Sequence, residues 1–135
     1  MFGLDIQLEI SNNDVRVFKG DQSNINDLIN VVNQIPKCDI IIDDGSHVPE
    51  HQLKSFYYLF ENLLKDGGTY VIENIECSYW KPSDQIYGYG TGNLNLIYYF
   101  TKLNHMVNGD YNLIDNPLKI KQIIYSSNSI TIEKK

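Results

Sequence analysis

Two apolar runs bounded by turn residues dominate the pattern of the chain. The first, at residues 39–42, is rich in β-branched residues and predicts a strand buried on both faces, as in a parallel sheet. The second, at residues 69–72, predicts a neighbouring strand of the same kind. Between them, Pro49 and Glu50 suit the first turn of a helix that Asp66-Gly67-Gly68 ends. The predicted buried face of this helix comprises Leu53, Phe56, Tyr57, Phe60, Leu63 and Leu64.

Shorter patterns predict the other elements. Strands are expected over residues 2–6 and 15–18, helices over 25–35 and 96–107, and a terminal hairpin over 119–125 and 130–133. Strands and helices therefore alternate along most of the chain. This order predicts an α/β fold whose mostly parallel sheet is covered by helices and ends in an antiparallel C-terminal hairpin.

Polar side chains follow both central strands directly. Asp43, Asp44 and His47 come after the first, and Glu73 and Asn74 come after the second. The carboxyl ends of strands in open α/β sheets are where ligands bind. These residues are therefore candidates for a metal or ligand site.

Structural roles are open for the same residues. Asp-Gly after a strand is also typical of a turn, His47 could simply begin the next helix, and Glu73 could face solvent. His47 and His51 stand four positions apart, as zinc ligands on a helix do, but Pro49 disturbs that turn. We therefore favour hard oxygen ligands over zinc.

Composition restricts the classes of function. The chain has 135 residues and a formal net charge of −6, with scattered basic residues, which argues against binding to nucleic acid. It has neither a membrane-spanning apolar run nor a signal peptide, so we expect a single cytoplasmic domain over residues 1–135, without a membrane partner. Cys38 and Cys77 are expected to be free thiols. A homo-oligomer is left open.

The stretch at residues 78–93 is a loop rich in tyrosine and glycine, long enough for a functional lid. Its aromatic rings could line the site of an acceptor or could anchor the loop to the body of the protein. These rings are Tyr79, Trp80, Tyr87 and Tyr89.

Several motifs in sequence order resemble one family. The chain is similar to class I S-adenosylmethionine-dependent methyltransferases, and more narrowly to the macrocin and mycinamicin O-methyltransferase group, which is related to cephalosporin-hydroxylase-like proteins. The matching motifs are Gly3-Leu4-Asp5-Ile6, Gly20-Asp21-Gln22-Ser23, Ile42-Asp43-Asp44-Gly45-Ser46-His47, Gly67-Gly68-Thr69-Tyr70-Val71-Ile72-Glu73-Asn74 and Ser78-Tyr79-Trp80.

The resemblance implies a role for each motif. It implies that Asp5 holds the ribose of S-adenosylmethionine, that Asp21 and Gln22 lie near the adenosine, and that His47 is the general base. We also expect Asp43 on the cofactor side. The implied ligands of a divalent cation, Mg²⁺ or another, are Asp44, Glu73 and Asn74. The implied activity is metal-assisted O-methyl transfer to the hydroxyl of a small molecule, a sugar or a natural product.

The chain departs from the family at two points. The family usually has Glu-Asp where this chain has Glu73-Asn74, which removes one negative charge from the metal site. The Rossmann-like sheet also lacks the family's first strand and Gly-rich loop, which we expect to be encoded upstream, so residues 1–135 would be a partial methyltransferase domain. The alternative is a catalytically inactive, methyltransferase-like interaction module.

Overall fold

The computed structural model describes residues 1–81, 83–86, 88–108 and 118–135, so that Tyr87 lies outside the described residues. The strands are β1 (Phe2–Asp5), β2 (Ile10–Ser11), β3 (Arg16–Lys19), β4 (Cys38–Asp43), β5 (Leu64–Glu73), β6 (Gln85–Ile86), β7 (Tyr89–Gly90), β8 (Ile120–Ser126) and β9 (Ser129–Lys134). The helices are α1 (Ile25–Val32), α2 (Pro49–Asn62) and α3 (Leu96–Val107), with a 3₁₀ turn at Ile75–Tyr79.

The strands form two main sheets. One has the order β1-β3-β2, with β1 parallel to β3. The other has the order β4-β5-β9-β8, with β4 parallel to β5 and the terminal hairpin antiparallel. The predicted α/β fold, with parallel strands and an antiparallel C-terminal hairpin, is confirmed. The sequence did not predict the short strand β2 or the β6–β7 hairpin inside the loop after residue 78.

A cavity of about 680 Å³ separates the two sheets. Within the described residues, β1 and β4 each pair with a strand on one side only, and both line this cavity. Gln22, just beyond β3, donates hydrogen bonds to Asp43, the last residue of β4. The carboxyl ends of both parallel pairs therefore lie at the same edge of the molecule, on either side of the cavity.

The prediction that residues 39–42 are buried on both faces is wrong. Ile41 packs against the core, but Ile40 is 63% exposed and Ile42 is 62% exposed. Side chains alternate across a strand, so these two share the other face of β4. That face is exposed because it borders the cavity rather than a covering helix.

The core lies between the four-stranded sheet and helices α2 and α3. Phe56 is its centre, with its ring 5.0 Å from Phe60, 5.3 Å from Tyr70 and 5.0 Å from Phe100, centroid to centroid. Burial of each such ring contributes about 1.5–3 kcal/mol relative to exposure. The core thus fixes α2 against β5 and positions the loop before α2, which carries the candidate site.

Two smaller observations concern the cysteines and the helices. Cys38 and Cys77 are both free, as predicted. In the part of the chain that the structure describes, none of the helices combines the length and the apolar character needed to span a membrane.

Candidate active site

Asp44, His47 and Asn74 meet at the carboxyl ends of β4 and β5. His47 Nε2 lies 3.2 Å from Asp44 Oδ1 and 3.1 Å from Asn74 Nδ2. Asn74 Nδ2 donates to Asp44 Oδ1 at 2.7 Å. The Asp44 side chain is 56% exposed and that of His47 is 19% exposed. The cluster therefore holds the imidazole in place while a carboxylate stays open to a ligand from solvent.

The register of the sheet explains why these residues meet. Asp43 of β4 pairs with Ile72 of β5, so that Asp44 and Glu73 each come one residue after the last pair of two neighbouring parallel strands. Neighbouring strands lie about 4.8 Å apart. Glu73 is thus placed beside Asp44, and its backbone carbonyl accepts a hydrogen bond from Gln52 at 2.8 Å.

Both His47 and Asn74 have left-handed backbones, with φ of 58° and 57°. This conformation costs about 1–2 kcal/mol for most residues, and asparagine tolerates it better than most. Such strained positions persist where the surrounding structure holds them, and they concentrate at functional sites.

Asn128, in the turn between β8 and β9, lies behind Asn74. Its Oδ1 accepts a hydrogen bond from the backbone N–H of Glu76 at 3.0 Å. Its Nδ2 donates to Asn74 Oδ1 at 3.2 Å. The terminal hairpin therefore contributes to the site, although it is more than 50 residues away in sequence.

Asp43 forms a buried hydrogen-bond network below this cluster. Both of its carboxylate oxygens accept from Gln22 Nε2 at 2.6 Å, and Oδ2 also accepts from Ser55 Oγ at 2.6 Å and from the Tyr70 hydroxyl at 3.2 Å. Burial raises the pKa of Asp43, while the hydrogen bonds from Ser55 and Gln22 oppose that rise. The network ties β4 to α2, β5 and the loop after β3.

Gln22 also reaches the loop that carries the cluster. Its Oε1 accepts the backbone N–H of Ser46 at 2.9 Å. A Cβ at Gly45 would clash with that oxygen, so glycine at position 45 allows this close approach without a shift of the Gln22 side chain. The Asp44-to-His47 loop is thus anchored from the three-stranded side of the cavity.

Asp5 and Asp21 lie across the cavity from Asp44. Asp5 Oδ1 accepts the backbone N–H groups of Gln7 and Leu8 at 2.7 and 2.8 Å, and these bonds lower the pKa of its carboxyl group. Burial raises the pKa of Asp21, but hydrogen bonds from Ser23 and Tyr89 outweigh it, so that the net pKa is below the ordinary value. Both residues are therefore held as carboxylates at neutral pH.

Tyr89 of the β6–β7 hairpin connects the two sides. Its hydroxyl donates to Asp21 Oδ2 at 2.9 Å, and its ring meets that of His51 edge to face at 4.8 Å. His51 Nδ1 in turn lies 3.0 Å from Ser46 Oγ. Of the aromatic loop residues that could line an acceptor site, Tyr89 thus lies against Asp21, which was predicted to lie near the cofactor, while Tyr79 and Trp80 are exposed.

The structure brings five of the predicted site residues into contact. Asp44, His47 and Asn74 are in mutual contact, and Gln22 and Asp43 contact each other beneath them. Sequence reasoning missed Gln52, Ser55 and Asn128. The two helical residues carried a signal, because polar positions 52 and 55 fall on the buried face of α2. Asn128 carried none.

The residue types fit magnesium better than zinc. Carboxylate and amide oxygens at a strand end are hard ligands of the kind that Mg²⁺ prefers. His47 and His51 contact Asp44 and Ser46 respectively, rather than each other. Among the described residues there is no group of three or more His, Cys, Asp or Glu spaced to hold a metal ion. A bound cation would therefore need an oxygen from Asn74 as well as the carboxylates.

Solved structures identify the class of fold. The MycE methyltransferase from the mycinamycin biosynthetic pathway, in complex with Mg and SAH, matches 98% of this chain with a TM-score of 0.79 and 27% identity. A second MycE structure, with Mg, SAH and mycinamycin VI, matches with a TM-score of 0.78 and 25% identity. Each match covers 36% of the MycE chain. The fold is that of a Rossmann-like methyltransferase.

Sequence comparison narrows the class of methyltransferase to which the chain is similar. The chain is 38% identical over 82 residues to 8-demethyl-8-alpha-L-rhamnosyl tetracenomycin-C 2'-O-methyltransferase of Streptomyces olivaceus, and 38% identical over 82 residues to demethylmacrocin O-methyltransferase of Streptomyces fradiae. Mycinamicin VI 2''-O-methyltransferase of Micromonospora griseorubida is 37% identical over 82 residues. The homologues of this chain are thus macrocin, mycinamicin and tetracenomycin O-methyltransferases, which confirms the resemblance inferred from the motifs.

These alignments are partial. Each covers 59% of this chain, and the chain spans about a fifth of the length of the curated relatives it matches, 21% and 20% for the first two. No family model matches the chain.

Proposed function

We propose that the protein is an S-adenosylmethionine-dependent, metal-assisted O-methyltransferase that acts on a hydroxyl group of a sugar or natural product. The observation that carries this proposal is the cluster of Asp44, His47 and Asn74 at the strand ends of a fold shared with a methyltransferase solved with Mg and SAH. It is supported by homologues that methylate natural products, as their names state.

His47 is the proposed general base. An imidazole accepts a proton near neutral pH, and Asp44 Oδ1, 3.2 Å from Nε2, would stabilise the imidazolium that forms. The left-handed backbone and the contact with Asn74 fix where the ring lies. Proton transfer to a positioned base typically contributes about 10²–10⁴-fold to the rate.

Asp44, Glu73 and Asn74 are the residues that would hold the divalent cation. Bound there, Mg²⁺ would orient the acceptor hydroxyl and lower its pKa. The carboxylates of Asp44 and Glu73 come from neighbouring strands, one residue after the last paired residues of β4 and β5.

The cofactor, which would supply the methyl group, is proposed to lie along the opposite side of the cavity. Asp5 takes both of its backbone hydrogen bonds on Oδ1, so that Oδ2 can accept from ribose hydroxyls. Asp21, beside Tyr89, would lie near the adenosine. Gln22 and Asp43 form the floor between this side and the His47 loop.

The proposal includes the cellular setting expected from the sequence. The protein is cytoplasmic, its partner is a small-molecule acceptor rather than nucleic acid or a membrane, and residues 1–135 contribute one partial methyltransferase domain. The acidic net charge of −6 supports the exclusion of nucleic acid.

Calorimetry and methyl-transfer assays test the proposal. S-adenosylmethionine should bind the purified protein with or without Mg²⁺, and transfer of a labelled methyl group to mycinamycin VI, used as a probe acceptor, should depend on Mg²⁺. His47→Ala should lower the transfer rate by about 10²-fold or more without weakening cofactor binding. His105→Ala, an exposed histidine on α3, serves as the matched control. An absence of heat with both ligands would instead support the inactive interaction module.

A further inference from the structure

We infer that Asn128 is a positioning residue that sets the direction of the Asn74 amide and thereby the affinity of the site for a divalent cation. The inference rests on the proposed metal-assisted function, and it concerns a residue outside the strand ends that carry the ligands. It follows from two consecutive hydrogen bonds, which link the backbone N–H of Glu76 to the Asn128 amide and the Asn128 amide to the Asn74 amide.

The series begins at a backbone N–H group. The N–H of Glu76 can only donate, so the Asn128 atom that faces it at 3.0 Å must be the acceptor Oδ1. The Nδ2 group of Asn128 therefore faces the other way, towards Asn74, at 3.2 Å. Since Nδ2 can only donate, the Asn74 atom opposite must be Oδ1.

The direction of Asn74 is then determined as well. With its oxygen on Asn128, its Nδ2 group faces the site, 2.7 Å from Asp44 Oδ1 and 3.1 Å from His47 Nε2. Nitrogen of an amide carries hydrogens and has no lone pair for a cation. Asn74 thus presents hydrogens at the place where a cation needs an oxygen.

Asn74 can ligate a cation through Oδ1 only after the Asn74 side-chain amide rotates by about 180°. That turn breaks the bond to Asn128 and sets two NH₂ groups against each other. Asn128 cannot follow by turning its own amide, because its oxygen would leave the Glu76 N–H group. A further contact, Ile75 N–H to the Asn128 carbonyl at 3.5 Å, holds the backbone of the turn. Asn128 therefore opposes the metal-binding orientation.

Position 128 can be changed without loss of the turn. Asn128 has φ of 58°, a left-handed conformation that glycine and aspartate also adopt. Asn128→Asp offers an acceptor to both Glu76 and Asn74, so that the Asn74 amide should turn its oxygen into the site. Asn128→Gly removes the hydrogen bond to Asn74 Oδ1 with no change of charge, so that the Asn74 amide keeps only its contacts with Asp44 and His47, which a cation bound at Asp44 would replace.

Magnesium titration by calorimetry provides the first test. Asn128→Asp and Asn128→Gly should each bind Mg²⁺ about tenfold more tightly than the natural protein, a typical effect for a group that orients a ligand. Ser127→Asp, an exposed neighbour in the same turn, adds the same charge but keeps Asn128 and should bind as the natural protein does. Asn74→Asp supplies a carboxylate directly and should bind at least as tightly as either position-128 variant.

The outcomes separate the inference from the proposed function. If Asn74→Asp binds Mg²⁺ tightly while both position-128 variants keep the natural affinity, the role of Asn128 is wrong and the metal site stands. If Ser127→Asp gains as much as Asn128→Asp while Asn128→Gly gains nothing, charge explains the effect and the inference is overturned. If none of the proteins binds Mg²⁺, the metal site of the proposed function fails and the inference fails with it.

Nuclear magnetic resonance tests the orientation without metal. In the natural protein, the side-chain amide protons of Asn74 should show nuclear Overhauser contacts to the His47 ring, because Nδ2 lies 3.1 Å from Nε2. These contacts should disappear in Asn128→Asp, as the NH₂ group turns towards position 128. Retention of the contacts in that variant would contradict the inference whatever the affinities are.

Discussion

Asp43 shows how one carboxylate can support a site without being open to solvent. It is only 6% exposed and accepts from Gln22, Ser55 and Tyr70. Its neighbour Asp44, one residue further, is open and meets His47. Successive side chains at a strand end point to opposite sides. Two adjacent aspartates therefore have different surroundings: Asp43 holds the loop, and Asp44 is open to the ligand proposed to bind there.

The raised pKa of Asp43 predicts a dependence of stability on pH. Because burial raises the pKa of Asp43, the folded state binds this proton more tightly than the unfolded chain does. Its contribution to stability is present at low pH and is lost as pH rises from the ordinary value of 3.8 through the folded pKa. Asp43→Asn cannot ionise, so the difference in free energy of unfolding between the natural protein and this variant should shrink as pH rises. Urea unfolding between about pH 4 and pH 8 measures it. A difference that is constant across this range would show that Asp43 is not the group responsible.

Residue-level prediction from sequence succeeded where position along a strand determines position in space. Asp44 and Asn74 each follow a predicted parallel strand, so that their proximity could be expected. Asn128 could not be found in this way, because its contact with Asn74 depends on how the terminal hairpin folds back onto β5. A contact of this kind cannot be inferred from the spacing or the periodicity of residues along the sequence.

At the scale of elements, the end of α2 differs from the prediction. Asp66-Gly67-Gly68 was expected to end the helix, but α2 ends at Asn62 and β5 begins at Leu64. The glycines lie in an irregular part of β5, where the register shifts between Cys38 and Ile40 of β4, and Gly67 has φ of 77°. Glycine is typical of helix ends and of bulges alike, so the sequence could not distinguish them.

Lys134, rather than those glycines, caps the C-terminal end of α2. Its Nζ donates to the carbonyls of Phe60 at 2.8 Å and Leu64 at 3.0 Å, just where α2 ends and β5 begins. A cation at the carboxyl end of a helix interacts favourably with the helix dipole. The last strand of the chain thus caps a helix that is about 70 residues earlier.

Lys134→Met should destabilise the protein by about 1–2 kcal/mol, because an apolar side chain of similar length fills the space but leaves buried carbonyls without their donor. The free energy of unfolding in urea measures the loss. Lys135→Met, at the exposed neighbouring residue, should change it by less than about 0.5 kcal/mol. Equal effects of the two substitutions would contradict a capping role for Lys134.

At the scale of the whole molecule, the resemblance predicted more than periodicity did. Periodicity gave strands and helices but treated β4 as buried on both faces. The resemblance led to the expectation of a sheet without its first strand, and the described residues show β1 and β4 on either side of a cavity. Burial depends on neighbours that a local pattern does not record, which is why Ile40 and Ile42 were predicted wrongly.

The open edges of β1 and β4 predict that the isolated 135-residue chain self-associates when its cavity holds no ligand. Unpaired strand edges with apolar side chains beside them attract further strands. Sedimentation velocity at rising protein concentration should therefore show larger species, and Ile40→Lys should suppress them, because charge on an edge strand discourages pairing. Ile25→Lys, an exposed isoleucine on α1, is the control and should associate as the natural protein does. A natural protein that remains monomeric throughout would contradict this prediction.

The two edges also restrict the symmetry of any such association. β1 and β4 have their carboxyl ends at the same edge of the molecule, so a strand that pairs with both runs either parallel to both or antiparallel to both. A twofold axis relates identical surfaces, whereas here a strand of one copy would enter the cavity of another. When the insertion is one-way, that contact is heterologous and each added copy brings a new open cavity. One-way insertion is therefore expected to give chains of increasing length, whereas reciprocal exchange of strands between two copies would give a closed dimer.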